Sequence, residues 1–228
     1  SISVWIFIVP FLAINACLII ITQFHELFPN QEDVIHNTIP YIDGGASISR
    51  TARPYPTWLI FKPAMFLTSY LLIKYWIYNR NIIKFFKKDH KYVKRIFNFG
   101  IASAIALTIH SIFLGIKFDY DLYKLFRRVI LLSFIIFELI AQAYLVATFF
   151  SLKDTLRKYI NPNILRLKII LVSALLIIAA ISIPIISLPG DDFFGVNLKF
   201  LKHALEWDYF LGIISFYFLT FLMWKRIN

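Results

Sequence analysis

Two sets of ionisable residues in this chain are placed where they could do chemistry. The first is Asp43, Arg50, Arg53 and Lys62, together with His203, Glu206 and Asp208 near the last apolar run. Guanidinium and ammonium groups set against carboxylates suit the gripping of a phosphate headgroup, because the guanidinium fork matches phosphate oxygens. The same residues also suit a task with no chemistry in it, since a loop folded over a helix bundle needs charged anchors to pin it. Both readings stay open at this level. The second set lies inside apolar runs: Glu138, with Gln142 one helical turn further on the same face, and His110. A charge at the centre of a bilayer costs roughly 2.5–3.5 kcal/mol on insertion scales, so such groups face a bundle interior or a watered cavity. A polar cavity for a lipid headgroup or a proton is one expectation, and interhelical hydrogen bonding is the other.

Catalytic signatures are sparse. His25-Glu26 is followed by Leu27, Phe28 and Pro29, which is not the H-E-x-x-H zinc pattern. His203 and Glu206 stand one turn apart, too few ligands for a metal. There is no phosphate-binding glycine loop, no G-x-S-x-G and no dinucleotide turn. Cys17 is the single cysteine, so neither an internal disulfide nor a cysteine cage can form. No metal, no cofactor and no catalytic residue is expected, although a lipid hydrolase or acyltransferase built from serine, histidine and acid near the loop stays open.

The elements that must position these residues follow from composition. The chain has 228 residues, 59% hydrophobic and only 16% charged, against about a quarter charged in a soluble domain. The apolar runs cover 2–22, 57–78, 96–116, 129–152, 169–188 and 207–224. Each is close to the ~20 residues that cross a ~30 Å hydrocarbon core. The pattern predicts one all-α domain over 1–228, a polytopic bundle of six transmembrane helices. Pro10, Pro63 and Pro184 fall inside runs, where prolines are tolerated and often mark kinks. Ser1 stands directly before the first run with no methionine, so a segment is expected to precede it, and the run itself reads as a retained helix.

Lysine and arginine set the orientation. Arg80, Lys84, Lys87, Lys88, Lys91, Lys94 and Arg95 follow the second run, and Lys153, Arg157, Lys158, Arg166 and Lys168 follow the fourth. Lys225 and Arg226 close the chain. The other side holds Glu26, Glu32, Asp33, Asp43, Asp119, Asp121, Asp191, Asp192, Glu206 and Asp208, with Lys117, Lys124, Arg127 and Arg128 in dissent. Both termini are therefore expected in the cytoplasm. The net charge of +11 sits at the ends of apolar runs, where it meets lipid headgroups, and not on a basic stripe for nucleic acid. Segment 23–56 is the one long connection. Pro40, Gly44, Gly45, Pro54 and Pro56 break any long element there, and its aromatics and charges predict an ordered outer cap.

Two stretches carry a family resemblance. One is Thr38-Ile39-Pro40-Tyr41-Ile42-Asp43-Gly44-Gly45-Ala46-Ser47, and the other is His203-Ala204-Leu205-Glu206-Trp207 with Phe216-Tyr217-Phe218-Leu219-Thr220-Phe221. Together they resemble the Frag/DRAM/Sfk family, six-span proteins with P-Y-I-S-D-x-G in the first luminal loop and E-W opening the last helix. Here Ile42 directly precedes Asp43, without the family's serine. The resemblance implies a six-helix bundle with cytoplasmic termini and work in lipid-linked membrane biology, related to glycosylphosphatidylinositol-anchor remodelling. It marks Pro40, Tyr41, Asp43, Gly44, Glu206 and Trp207 as positions that shape the fold.

The functional expectation is a non-enzymatic, multi-pass membrane protein that handles or senses lipids through a headgroup-binding cluster at its outer face. The alternatives are an accessory subunit of a larger membrane complex, and the hydrolase or acyltransferase above. Membrane lipids are the expected partners, other membrane subunits on the alternative reading, and nucleic acid on none.

Overall fold

Long uncharged runs satisfy their own backbone amides most simply as helices, and in lipid no other partner is at hand. The computed structural model describes residues 1–116, 120–187, 192–193 and 196–225. Its helices are α1 (Ile2–Gln23), α2 (Pro40–Asp43), α3 (Ile48–Ala52), α4 (Trp58–Phe86), α5 (Val93–Phe113), α6 (Asp121–Ser151), α7 (Lys153–Leu156), α8 (Pro162–Ser187) and α9 (Leu198–Met223). A two-residue antiparallel pair, β1 (Asp192–Phe193) with β2 (Val196–Asn197), leads into α9. Lys117, Asp119, Asp191, Arg226 and the Leu188 end of the fifth apolar run lie outside the described residues.

Among the described residues five helices are long and apolar enough to cross a membrane: α1, α5, α6, Pro162–Ser182 within α8, and α9. That is the make-up of an integral, multi-pass membrane protein. α4 has the length, at 29 residues, but Lys62, Lys74, Arg80 and Lys84 interrupt its apolar character.

Helix ends depart from the apolar runs in a consistent way. α4 continues eight residues past Tyr78, α6 begins at Asp121 ahead of Val129, and α9 begins at Leu198 ahead of Trp207. Hydropathy marks the thickness of hydrocarbon, whereas a helix stops where a cap or breaker stops it. The Asn197 side chain accepts from the Lys199 amide and so starts α9. Consequently Arg80, Lys84, Arg166 and Lys168 lie in helices and not in loops.

The six long helices pack in cyclic order α1, α4, α5, α6, α8, α9, and α9 closes the ring against α1. Trp76, Phe149, Trp207, Phe216 and Tyr217 fill the interior. A Cβ at Gly100 would strike the Trp76 indole, so α4 and α5 approach closely there. Outside, Trp5, Leu12, Tyr70, Leu132, Ile136, Ile170 and Ile177 are exposed, an apolar surface that lipid matches and water does not.

The end of the bundle away from segment 23–56 is tied by hydrogen bonds between residues far apart in the chain. The Asn161 amide donates to the Met223 carbonyl at 2.8 Å, and the Lys225 amide to Tyr159 at 2.9 Å. His90 Nε2 meets Ser151 Oγ at 3.1 Å, joining the α4–α5 turn to the end of α6. Burial, with Lys87 and Lys91 adding repulsion, holds the His90 imidazole below its ordinary value. The unfolded chain therefore takes up this proton first, at about pH 6.5. The His90 contribution is whole above that pH and lost as pH falls through the lower folded value. Unfolding of wild type in detergent is expected to lose stability below about pH 6.5 more steeply than unfolding of His90→Gln. Identical pH profiles for the two would contradict this.

Candidate functional site

Segment 38–49 folds by its own hydrogen bonds before it docks. The Asp43 carboxylate accepts from the Thr38 hydroxyl at 2.6 Å, the Ile39 amide at 2.8 Å and the Gly45 amide at 2.7 Å. Desolvation is the largest single influence and pushes this carboxyl up, but the hydrogen bonds together outweigh it and hold it below the usual carboxylate value. Pro40 opens α2 at a position that suits its fixed φ. Gly44 closes the turn at φ +63°, and a Cβ there would enter the Phe200 carbonyl at the start of α9.

The docking surface is the first three turns of α9. His203 Nδ1 donates to the Gly44 carbonyl at 2.9 Å, and Trp207 Nε1 donates to the Ala46 carbonyl at 2.8 Å. The Glu206 carboxylate accepts from the amides of Ile48 and Ser49, the first two of α3, which have no partner within their own helix. The Tyr41 ring meets Trp207 edge-on at 4.9 Å, and its hydroxyl donates to Asn15 Oδ1 at 3.2 Å. Pro40, Tyr41, Asp43 and Gly44 on one side, and His203, Glu206 and Trp207 on the other, are two halves of one contact. Their polar capacity is taken up inside the protein, which is the anchoring role.

The remaining members of the outer set separate from these. Arg50 and Asp208 are exposed, near enough to His203 and Tyr41 respectively to act on them electrostatically. Arg53 and Lys62 do not face the acids of α9. Arg53 packs over Gly115, and Lys62 Nζ donates to the Ile112 carbonyl at 3.4 Å while lying 5.5 Å from the Trp58 ring centre. Both thus meet the C-terminal end of α5. Arg127 of α6 lies within electrostatic reach of both Arg53 and the buried His110, and Asp33 is an acid within electrostatic reach of Arg53. Burial, reinforced by Arg127, pulls the Arg53 guanidinium below its ordinary value. Arg53 Nε, Arg127 Nε and His110 Nδ1 are all enclosed without a hydrogen-bond partner among the described residues. Sequence reasoning counted Arg127 only as a dissenter from the charge asymmetry. That dissent was the available signal, because a cation on the wrong side needs a local reason.

Deeper in the bundle Glu138 is fully buried. Its carboxyl accepts from Ser103 Oγ at 2.6 Å, Gln142 Nε2 at 3.0 Å and the Tyr217 hydroxyl. Gln142 Nε2 also donates to the Ile213 carbonyl at 3.3 Å. Glu138 and Gln142 therefore act together, while His110 belongs to the basic group two turns away along α5. Tyr75 meets the Tyr217 ring at 4.9 Å and shares a hydrogen bond of 3.2 Å with Thr220 Oγ1. Lys168, expected among loop cations, is wholly buried. Its Nζ donates to Thr220 Oγ1 at 2.7 Å and lies 3.8 Å from the Phe216 ring centre.

Among the described residues, no three of His, Cys, Asp and Glu gather as metal ligands. At the loop end His25 bonds to the Thr22 carbonyl and packs on His36, and His203 is held by Gly44. None of them hydrogen-bonds to a hydroxyl among the described residues, so the hydrolase reading gains no nucleophile–base pair there. Neither a family model, nor a curated protein, nor a solved structure matches the chain.

The docked turn makes a direct prediction. Gly44→Ala imposes the left-handed penalty of roughly 1–2 kcal/mol and drives a methyl into the α9 backbone. Thermal unfolding in detergent should show at least that loss, with faster proteolysis within 37–47. Wild-type protection of the segment in the variant would contradict the docking.

Proposed function

We propose that this chain is a six-span, lipid-handling membrane protein that holds an anionic lipid headgroup at its loop end, without catalysing a reaction on it. The observation that carries the reading is a trio of enclosed nitrogens, Arg53 Nε, Arg127 Nε and His110 Nδ1, without a hydrogen-bond partner among the described residues. They come from the loop, α6 and α5, and they are nitrogens of the side chains suited to a phosphate. Lys62 adds a cation at the same end. Of the acids once set against these cations, Glu206 is engaged with α3 and Asp43 with its own turn.

The sixth span is α4. It takes its place in the closed ring between α1 and α5, and Lys62 and Arg80 stand near its ends, where long side chains reach the interface. Lys87, Lys88, Lys91, Lys153, Arg157, Lys158 and Lys225 belong to the end tied by His90, Asn161 and Tyr159. The positive-inside rule assigns that end, with both termini, to the cytoplasm. Segment 23–56 is then an ordered outer cap. Kinship with the Frag/DRAM/Sfk family draws support from the way its two short motifs meet as a single contact in this chain. The rival reading, a subunit of a larger membrane complex, rests on exposed rings such as Tyr70, Tyr78 and Phe85; it requires a stable protein neighbour where the present reading requires lipid.

Native mass spectrometry of protein extracted in mild detergent tests the choice. Wild type should retain an anionic lipid, and Arg53→Ala and Arg127→Ala should each lower retention about tenfold, the equivalent of one charge-assisted hydrogen bond. Undiminished retention in both folded variants would contradict the headgroup site, and stoichiometric protein partners in place of lipid would favour the subunit reading.

A further inference from the structure

The end of the bundle opposite the loop holds a second group that the loop-end site does not explain. An open cleft of about 370 Å³ lies between α1, α4 and α9. Ser1, Ser3, Tyr75, Asn79 and Thr220 supply its polar lining, and Tyr78 and Trp224 stand in its wall. Lys168 is directly behind that wall, fully buried, with Thr220 Oγ1 as its hydrogen-bond acceptor among the described residues. The Thr220 hydroxyl proton goes to the Phe216 carbonyl at 2.9 Å, so Oγ1 serves as acceptor for Lys168 and Tyr75 together.

This leaves a buried amine with three donors, one neutral oxygen and a ring face. A buried amine with donors to spare is ordinarily met by further acceptors or an anion. Glu138 does not fill that role, because Ser103, Gln142 and Tyr217 already engage its carboxyl. The open side of Thr220 and Tyr75 is the cleft.

We propose that the cleft is a second anion site, which takes a phosphate group on the Tyr75 hydroxyl, while Thr220, its own proton held by Phe216, carries Lys168 one hydroxyl behind as the counter-charge. Tyr75 turns its proton from Thr220 to a phosphate oxygen, and Lys168 holds Thr220 in place. Ile2, Ile82, Tyr78 and Trp224 around the polar floor suit the glycerol and upper acyl chain of a phospholipid, while a free phosphate shares only the floor. The proposal stands on residues separate from Arg53, Arg127 and His110.

The test is thermal unfolding of delipidated, full-length protein in neutral detergent, titrated with inorganic phosphate, dioctanoyl phosphatidic acid or dioctanoyl phosphatidylcholine. Phosphatidic acid should raise Tm in wild type and equally in Arg53→Ala/Arg127→Ala, which removes the loop-end site. Lys168→Met should shift the half-saturating concentration at least tenfold upward, with an unchanged or higher starting Tm, because methionine fills the space without a buried charge. Tyr75→Phe, which keeps the ring packing, should weaken the response as well and serves if Lys168→Met fails to fold. A response to inorganic phosphate as strong as to phosphatidic acid assigns the site to free phosphate. Equal responses in wild type, Lys168→Met and Tyr75→Phe would overturn the proposal, as would a response to phosphatidylcholine alone or to none of the probes. A response lost only in Arg53→Ala/Arg127→Ala would overturn it too, while leaving the loop-end site intact.

Discussion

A carboxyl at the centre of a helix bundle in lipid has no water to turn to, and Glu138 is such a carboxyl. It is satisfied only when Ser103 of α5, Gln142 of its own helix and Tyr217 of α9 are all in position. That requirement fixes the rotation and depth of α9 against α5 and α6, which apolar packing alone leaves loose, since lipid tails are as apolar as leucine. Tyr217 then carries the constraint along α9. Ten to fourteen residues away, about 15–21 Å at 1.5 Å per residue, Trp207, Glu206 and His203 are brought to face Ala46, Ile48 and Gly44. The loop docks where it does because the buried acid sets the helix on which it docks.

The docking in turn sorts the polar residues of that end. Those that bind the loop have their hydrogen bonds completed within the chain, and they supply shape. Those displaced to the side, Arg53 and Lys62, come against α5 and the first turns of α6, where Arg127 and His110 have nitrogens to spare. A cluster with more donors than acceptors at the loop end is the feature on which the proposed lipid-handling role rests. At the opposite end Lys168 repeats the imbalance with different residues and behind a different cleft.

Much of this was legible in the sequence, and the reasons for the rest are physical. The apolar runs could be read because lipid enforces their length, and Glu138 with Gln142 because both lie on one helix a single turn apart. The two motifs stood out as short strings, but their mutual contact is a relation between residues some 160 positions apart, such as Gly44 with His203 and Ala46 with Trp207. Lys168 was hidden among the flanking cations Arg157, Lys158 and Arg166. A window of hydropathy averages over all faces of a helix, whereas burial of Lys168 depends on the single face turned to Phe216 and Thr220. Arg53 was paired with the wrong acids for the same reason: proximity in sequence to the loop said nothing of which side of the bundle the chain would cross. Helix ends were missed where Arg80, Lys84 and Asp121 extend a helix beyond hydrocarbon.

The dependence of the fold on Glu138 is most directly measured by a double-mutant cycle between Glu138→Gln and Tyr217→Phe, read by reversible unfolding in detergent. A coupling energy between about 0.6 and 1.7 kcal/mol, the average and the maximum for hydrogen bonds between membrane helices, is the result expected of a bond that fixes α9 against α6. Additive effects within about 0.3–0.5 kcal/mol would mean that the two side chains act independently, and that something other than the buried carboxyl sets the position of α9.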